Sequence, residues 1–436
     1  MKLNLEERSW IFYDVANSAF ILILTATIPV FFRSLVDSVT ISEVANFWLV
    51  KLLFSKNALL AQNGSVQALE ALKTSLYAIT TTVSVLIVAL SAPVLGALAD
   101  YKGMKKKLFT FFLVIGVFSC LLLGVVGNWI GFLALIFIVR ISYASCNVFY
   151  DSMLVDVADN DRMDHISSYG YAWGYIGSCI PFIVGLYLIL FQPFNLDTKT
   201  ATQISFIITA IWWLIFSIPL LKNVKQKHYL EKKNNLVSSS FKRIFKTVKK
   251  IKNNPIMLYF IIGYFCYIDG VYTIISMATT YGAEVGIDDS GMIIALLVTQ
   301  IIAFPFAILS AKLAKKYKVI DLLKIFVLIY CGICIYGYQL DKNYEFWVLC
   351  VLVAIAQGGI QALSRSYYAK LVPKSESNEY FGFFDIFGKF ADFFGPLIIT
   401  ICASVFGQSK YGILALVVLF IIGYICLCKV KKYEDN

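Results

Sequence analysis

Five groups of ionisable and amide side chains stand inside otherwise apolar runs, where a charge needs a partner or a task. Near the N-terminus, Asp14, Asn17 and Ser18 share one helical face with Thr25 and Pro29. Arg140, Asn147 and Asp151 follow at i, i+7 and i+11, again on one face. Asp269 is followed by Gly270, which can thin a helix and expose carbonyls. Gln357, Gln361, Ser364, Arg365 and Tyr368 form a polar sector, and Asp385, Lys389 and Asp392 stand one turn apart. A carboxylate in a dry interior can exchange a proton, and a guanidinium there pairs with a carboxylate or binds an anionic group. Amides and hydroxyls suit a polar or zwitterionic solute.

Each group also has a plainer reading. The stripe from Asp14 could serve interhelical hydrogen bonds, and Arg140 could form a structural pair with an aspartate. Asp269 could sit in a fixed ion pair with Arg140 or Lys389. Lys389 can pair with both Asp385 and Asp392. Asp269 ranks first for protonation. Arg365 lies toward the inner end of its segment and reads as a gating residue, bonded to helix ends or to a loop, ahead of direct solute contact. Both histidines, His165 and His228, fall in inner loops, so proton transfer by histidine within a membrane is not expected.

The elements that must position these residues follow from composition. The 436 residues are 59% hydrophobic and 15% charged, with a mean hydropathy of +0.75. A soluble chain of this length could not hide so much apolar surface, so the bilayer is the expected solvent. A spanning helix needs about 20 apolar residues. Twelve such stretches can be drawn: 9–35, 74–99, 107–127, 129–156, 168–191, 203–222, 255–282, 289–314, 320–340, 344–372, 379–406 and 411–430. The first begins too near the N-terminus, and without a small-residue cleavage pattern, to read as a cleavable signal peptide. All ten cysteines, including the pairs Cys331/Cys334 and Cys426/Cys428, fall inside these stretches and read as small buried side chains rather than metal ligands or disulfides.

The net charge of +11 raises nucleic-acid binding as a possibility, but its distribution argues against it. With the N-terminus inside, the inner segments hold 23 Lys or Arg and the outer loops 6. That is the positive-inside bias and places both termini in the cytoplasm. The basic run "KRIFKTVKKIK" (242–252) fits an amphipathic helix on anionic lipid and equally a solvated linker.

The basic segment 223–254 divides the stretches six and six, and the two sets resemble a duplication. "GALADYKGMKKK" (96–107) follows the second stretch and "SAKLAKKYK" (310–318) the eighth; "NVFYDSMLV" (147–155) in the fourth aligns with "RSYYAKLVP" (365–373) in the tenth. Asp14 and Asp269 align only if the loop at 36–73 contains an insertion. The apolar piece of that insertion, 47–54, is too short to span and is expected at the outer interface. Two parallel six-helix repeats, with the site between them near the midplane, are the architecture of major facilitator transporters.

"GALADYKGMKKK" is similar to the major facilitator loop signature. Gly96 allows close helix approach, Gly103 a tight turn, and Asp100 can pair with basic residues such as Lys105 and Lys106 or cap a neighbouring helix. Such contacts would hold one side of a carrier shut. In the fifth stretch, Gly170, Gly174, Gly177, Pro181 and Gly185 form a smooth stripe for close helix packing.

The stretch "GGIQALSRSYYAKLVPKSESNEYFGFFDIFGKFADFFGPL" (358–397), together with "YDVANSAF" (13–20), "YIDGVYTI" (267–274) and "SSYGYAWGYIGS" (167–178), resembles the autophagy-linked vacuolar amino-acid effluxers and their bacterial relatives within the major facilitator superfamily. Asp392, where a small or hydroxyl residue is usual, and Val155, where proline is common, depart from the pattern.

The resulting expectation is an all-α membrane protein. Twelve transmembrane helices form two pseudosymmetric bundles, 1–222 and 255–436, joined by a basic cytoplasmic linker, 223–254. The expected activity is alternating-access transport of a small polar solute, such as an amino acid, with proton coupling suggested by Asp14, Asp269 and Asp392. A non-transporting scaffold or lipid scramblase on the same fold is the alternative. Solute, protons and membrane lipids are the expected partners. A cofactor, a metal and nucleic acid are not expected. A monomer in a bacterial cytoplasmic membrane is.

Overall fold

In the computed structural model, the described residues are 2–231, 236–284, 286, 289–340, 342–406 and 408–435. Side chains at 24, 236–239, 242, 278–281, 283–284, 289–290, 293, 343 and 390–393 are outside the description. The helices are α1 (Leu5–Ala26), α2 (Ile28–Asp37), α3 (Ile41–Asn46), α4 (Trp48–Leu53), α5 (Ser55–Gln62), α6 (Val66–Ala99), α7 (Met104–Leu123), α8 (Trp129–Ser152), α9 (Leu154–Val157), α10 (Met163–Phe191), α11 (Thr198–Asn223), α12 (Leu236–Asn253), α13 (Pro255–Glu284), α14 (Asp289–Leu313), α15 (Val319–Tyr338), α16 (Asn343–Leu371), α17 (Ser377–Phe406) and α18 (Lys410–Asp435). Among the described residues, twelve helical segments are long and apolar enough to cross a membrane, and they coincide with the twelve stretches drawn from sequence. The protein is therefore an integral multi-pass membrane protein.

Local chemistry sets the helix ends. Asn4 caps α1 reciprocally with Glu7, Ser65 caps α6, Asn128 caps α8 and Asp197 caps α11. The first span breaks at Thr27, two residues before Pro29. Proline has no N–H for the ladder, so the turn must reset there. Between α2 and α6 the inserted chain folds into α3–α5. The apolar piece is the six-residue α4, too short to span, with Trp48 and Leu52 exposed. The second span begins earlier than its apolar stretch because Lys73 is neutralised inside the helix by Asp37 and by Glu70 at 2.6 Å.

The termini share a face with the chain that joins the two sets of six spans. Glu6 pairs with Lys227 at 2.5 Å, Glu7 with Arg162 at 2.6 Å, and Asp435 with Lys318 at 2.5 Å. On this termini-bearing face the two sets meet, chiefly through α6 against α17, and α10 against α14 and α16. Hydrogen bonds between the two sets lie toward this face, among them Ser167 Oγ donating to Ala362 O at 2.8 Å, Ser366 Oγ to Asp164 at 2.7 Å, and Lys370 to Asp164 at 2.5 Å.

The glycine stripe of α10 packs on helices of its own set. Gly170 and Gly174 lie against Asp14 and Ser18, Gly177 against Val15, and Gly185 against Ser205. All ten cysteines are free thiols.

Candidate functional site

The loop motif builds the joint between α6 and α17. A methyl group on Gly96 would land on the Asn378 carbonyl oxygen, so only glycine lets the two backbones approach this closely. Gly103 turns the chain with φ +73°, a conformation glycine adopts without cost. Asp100 accepts from the backbone N–H of Asn378 at 2.9 Å and from its side-chain amide at 3.0 Å, at the N-terminus of α17. Anionic oxygens suit that end of a helix, where N–H groups lack partners.

The basic partner of Asp100 was not foreseen. It is Arg243 of α12, at 2.8 Å, which also reaches Glu379 at 2.6 Å. Lys105 instead turns to Asp156 at 2.6 Å and lies 3.3 Å from Ser377 Oγ, while Lys106 donates to the Val224 carbonyl at 3.2 Å. Lys105 stays near enough to Asp100 to act on its charge, but its ammonium is bonded to Asp156. Asp100 is fully buried, and its carboxyl is pushed up to about 6 by loss of water, opposed by Arg243 and Asn378.

Arg365 of α16 is the centre of a second cluster. It was expected to bond helix ends or the loop. Instead it crosses into the first six spans. Nη2 donates to Asp14 at 3.1 Å and to the Ser167 carbonyl at 3.0 Å; Nη1 donates to Asp151 at 3.0 Å and Nε to Ser167 Oγ at 2.9 Å. The guanidinium stacks over Tyr171 at 4.3 Å and Trp10 at 4.7 Å. Trp10 is itself held by a bond from Nε1 to the Tyr150 carbonyl at 3.0 Å. Beside Asp14, Asn17 donates to Asn147 at 3.2 Å, which ties α1 to α8. One guanidinium thus serves two carboxylates from the opposite set of spans.

A cavity of about 60 Å³ opens next to Arg365 and Asp151, with room for several water molecules. Gln361, one turn before Arg365 on α16, also lines it; Asp385 and Lys389 come from α17, and aromatic rings of Tyr171, Tyr264 and Phe384 close its sides. Lys389 lies 3.8 Å from Asp385, one turn away, as the spacing suggests. The side chain of Asp392, the other expected partner of Lys389, lies outside the described residues.

The remaining candidates are elsewhere. Asp269 is buried and accepts from the Gly395 N–H of α17 at 2.9 Å. Arg140 forms no ion pair among the described residues and faces the Tyr77 hydroxyl. It shares a helical face with Asp151, but eleven residues at about 1.5 Å each put the two roughly 16 Å apart along the axis. Gln357 lines a separate, mainly apolar cavity of about 80 Å³ within the last six spans, with Thr299 and Gln300. His165 is not in a loop: it lies in the first turn of α10, stacked on Tyr169.

The sequence places Asp151 on a polar helical face, but nothing in it singles out Trp10, Ser167, Asn378 or Glu379. The available signals were an aspartate on the face of Asn147 and a single arginine, Arg243, among the lysines of the linker.

Comparisons agree with this architecture. The family model described as "Vacuole effluxer Atg22 like" matches residues 4–434. The chain is 41% identical over 433 residues to the uncharacterized MFS-type transporter YxiO of Bacillus subtilis (strain 168), covering 98% of this chain and 95% of that protein. It is 24% identical over 355 residues to autophagy-related protein 22 of Kluyveromyces lactis, covering 73% and 71%. Among solved structures, the human organic anion transporter MFSD10 superposes with a TM-score of 0.68 at 14% identity, covering 97% and 98%. The major facilitator transporter FucP in its outward conformation gives 0.69 at 13%, covering 97% of each chain. The chain belongs to the Atg22-like vacuole effluxer family and is a transporter of the major facilitator superfamily.

Proposed function

We propose that this protein is a secondary carrier that moves a small zwitterionic solute of the amino-acid class by alternating access, coupled to protons. The observation that carries the reading is Arg365, inserted from one set of six spans between two carboxylates of the other and facing a cavity walled by Asp385 and Lys389. A cation and carboxylates on facing walls suit a solute that carries both an ammonium and a carboxylate. The tyrosine and phenylalanine walls suit a modest side chain.

In this reading residues 1–222 and 255–436 rock as two bodies about the site, joined by 223–254. The termini-bearing face is cytoplasmic, in keeping with its excess of Lys and Arg, and the structure is the state closed on that side. Gly96, Asp100, Gly103, Lys105, Lys106 and Arg365 form the gate. When the gate opens, Arg365 withdraws and leaves Asp14 and Asp151 without their shared cation. A proton taken up there restores the balance of charge, which links opening to proton movement. These two carboxylates, not Asp269, then carry the coupling. Asp269 holds α13 to α17.

The test is transport into proteoliposomes, screened across amino acids. Wild-type protein accumulates its solute in response to a pH gradient. Asp14→Asn and Asp151→Asn lose accumulation but keep solute exchange at equal concentrations. Accumulation that ignores the pH gradient in all three proteins would falsify the coupling. Failure of every amino acid to stabilise or cross would remove the solute class.

A further inference from the structure

The linker helix α12 has three sectors. One, with Ser240, Thr247 and Ile251, is buried against the spans. The second is apolar and open: Phe241, Phe245 and Val248 stand at i, i+4 and i+7 with exposures of 50%, 77% and 48%. The third carries Lys246 and Lys249, both exposed, and Lys252, also exposed, closes the C-terminal end of the apolar strip. Large aromatic side chains do not stay in water without reason. An apolar strip bordered by lysines is the pattern of a helix lying in the interface of a bilayer, rings among the acyl chains and ammonium groups at the phosphates. Position supports this. α12 ends at Asn253 and α13 begins to span at Pro255, so the helix lies at membrane level.

The same helix is tied to the joint between the two sets of spans. Arg243 bridges Asp100, at the end of α6, to Glu379, in the first turn of α17, and donates to the Ala97 carbonyl at 3.2 Å. Two turns further on, Lys250 pairs with Glu376 at 2.8 Å. Contacts to both sides of the joint exist together only while it is closed.

We propose that α12 is a lipid-docked strap: anionic headgroups bind its lysine rim, the bilayer takes Phe241 and Phe245, and the docked helix holds the termini-bearing face closed through Arg243. Lipid charge then tunes opening, because a ligand shifts a conformational equilibrium by its difference in affinity for the two states. The proposal rests on that face opening and closing, not on the identity of the solute.

The experiment uses the full chain in vesicles of phosphatidylcholine, with or without phosphatidylglycerol at about a third of the lipid. Contact is read first. In Phe245→Trp, fluorescence gained over wild type should be quenched more by brominated phosphatidylglycerol than by brominated phosphatidylcholine. Equal quenching by both, or none, overturns the docking; a soluble acidic partner would give none. Opening is read by the rate at which a water-soluble maleimide modifies Ser377→Cys, buried at the joint, over the wild-type background. The rate should fall about threefold or more with phosphatidylglycerol, and Lys246→Gln/Lys249→Gln, which changes only exposed side chains, should lose that dependence. An unchanged rate, or dependence that survives in the double variant, overturns the strap. A Ser377→Cys that never reacts would instead remove alternating access at this face, while the quenching arm still decides docking.

Discussion

Arg365→Gln is the sharpest test of how the closed state is held. The side chain makes four hydrogen bonds across the joint, two of them to carboxylates, and stacks between Tyr171 and Trp10. Removing one partner of a buried ion pair costs about 3–5 kcal/mol when the other charge stays buried. Here Asp14 and Asp151 regain water as the face opens, so the lower figure, about 3 kcal/mol, measures the loss of closed relative to open. At about 1.4 kcal/mol per factor of ten, the open population rises roughly a hundredfold. When opening is fast and modification slow, the reaction rate follows that population. The assay is maleimide modification of Ser377→Cys in Arg365→Gln and in the parent, with thermal unfolding as a check on folding. A hundredfold faster reaction is expected, with Arg365→Lys in between, since an ammonium cannot make the same fork of bonds. If folded Arg365→Gln reacts at the parental rate, the cluster does not hold the face closed and the coupling built on it fails too.

Gly96→Ala should loosen the same joint by about 1–3 kcal/mol, because the added methyl meets the Asn378 backbone rather than a movable side chain; the maleimide rate checks it. Asp100 adds a pH term of definite sign. Its carboxyl is near 6 in the closed joint against 3.8 in water, so the closed form binds the proton more tightly. Closure through this group is favoured as pH falls through 6 toward 4 and loses that advantage as pH rises past 6. The measured consequence is an opening rate that Asp100 slows up to about tenfold between pH 7 and pH 5, read as the difference between wild type and Asp100→Asn. Lys389→Gln removes the cation from the far wall of the cavity and should raise KM for a carboxylate-bearing solute about 10- to 100-fold, with a smaller effect on a neutral analogue. Equal effects on both would show that Lys389 is structural.

The spans were legible because the bilayer allows few solutions. Apolar runs long enough to cross, punctuated by lysines and by caps such as Asn128 and Asp197, leave the helices little freedom. The loop motif was legible for a related reason: Gly96 and Gly103 answer local demands of approach and backbone angle. Local charge spacing also carried through, as in Asp385 and Lys389 one turn apart.

Pairings across the molecule were not legible. Asp14 and Arg365 are 351 positions apart, and Asp100 and Arg243 are 143 apart. Several buried arginines and aspartates were equally eligible by type, and depth along each helix chose among them: it separates Arg140 from Asp151 and brings Arg365 level with both Asp14 and Asp151. The amino-acid order alone settles that twelve helices cross a bilayer, which residues are too polar to face lipid, and where a glycine must stand, because each of these follows from the chemistry of a few neighbouring residues. Which cation meets which carboxylate, and that Arg243 of the linker joins the gate, depends on how rigid helices from the two sets are stacked, and no local rule contains that.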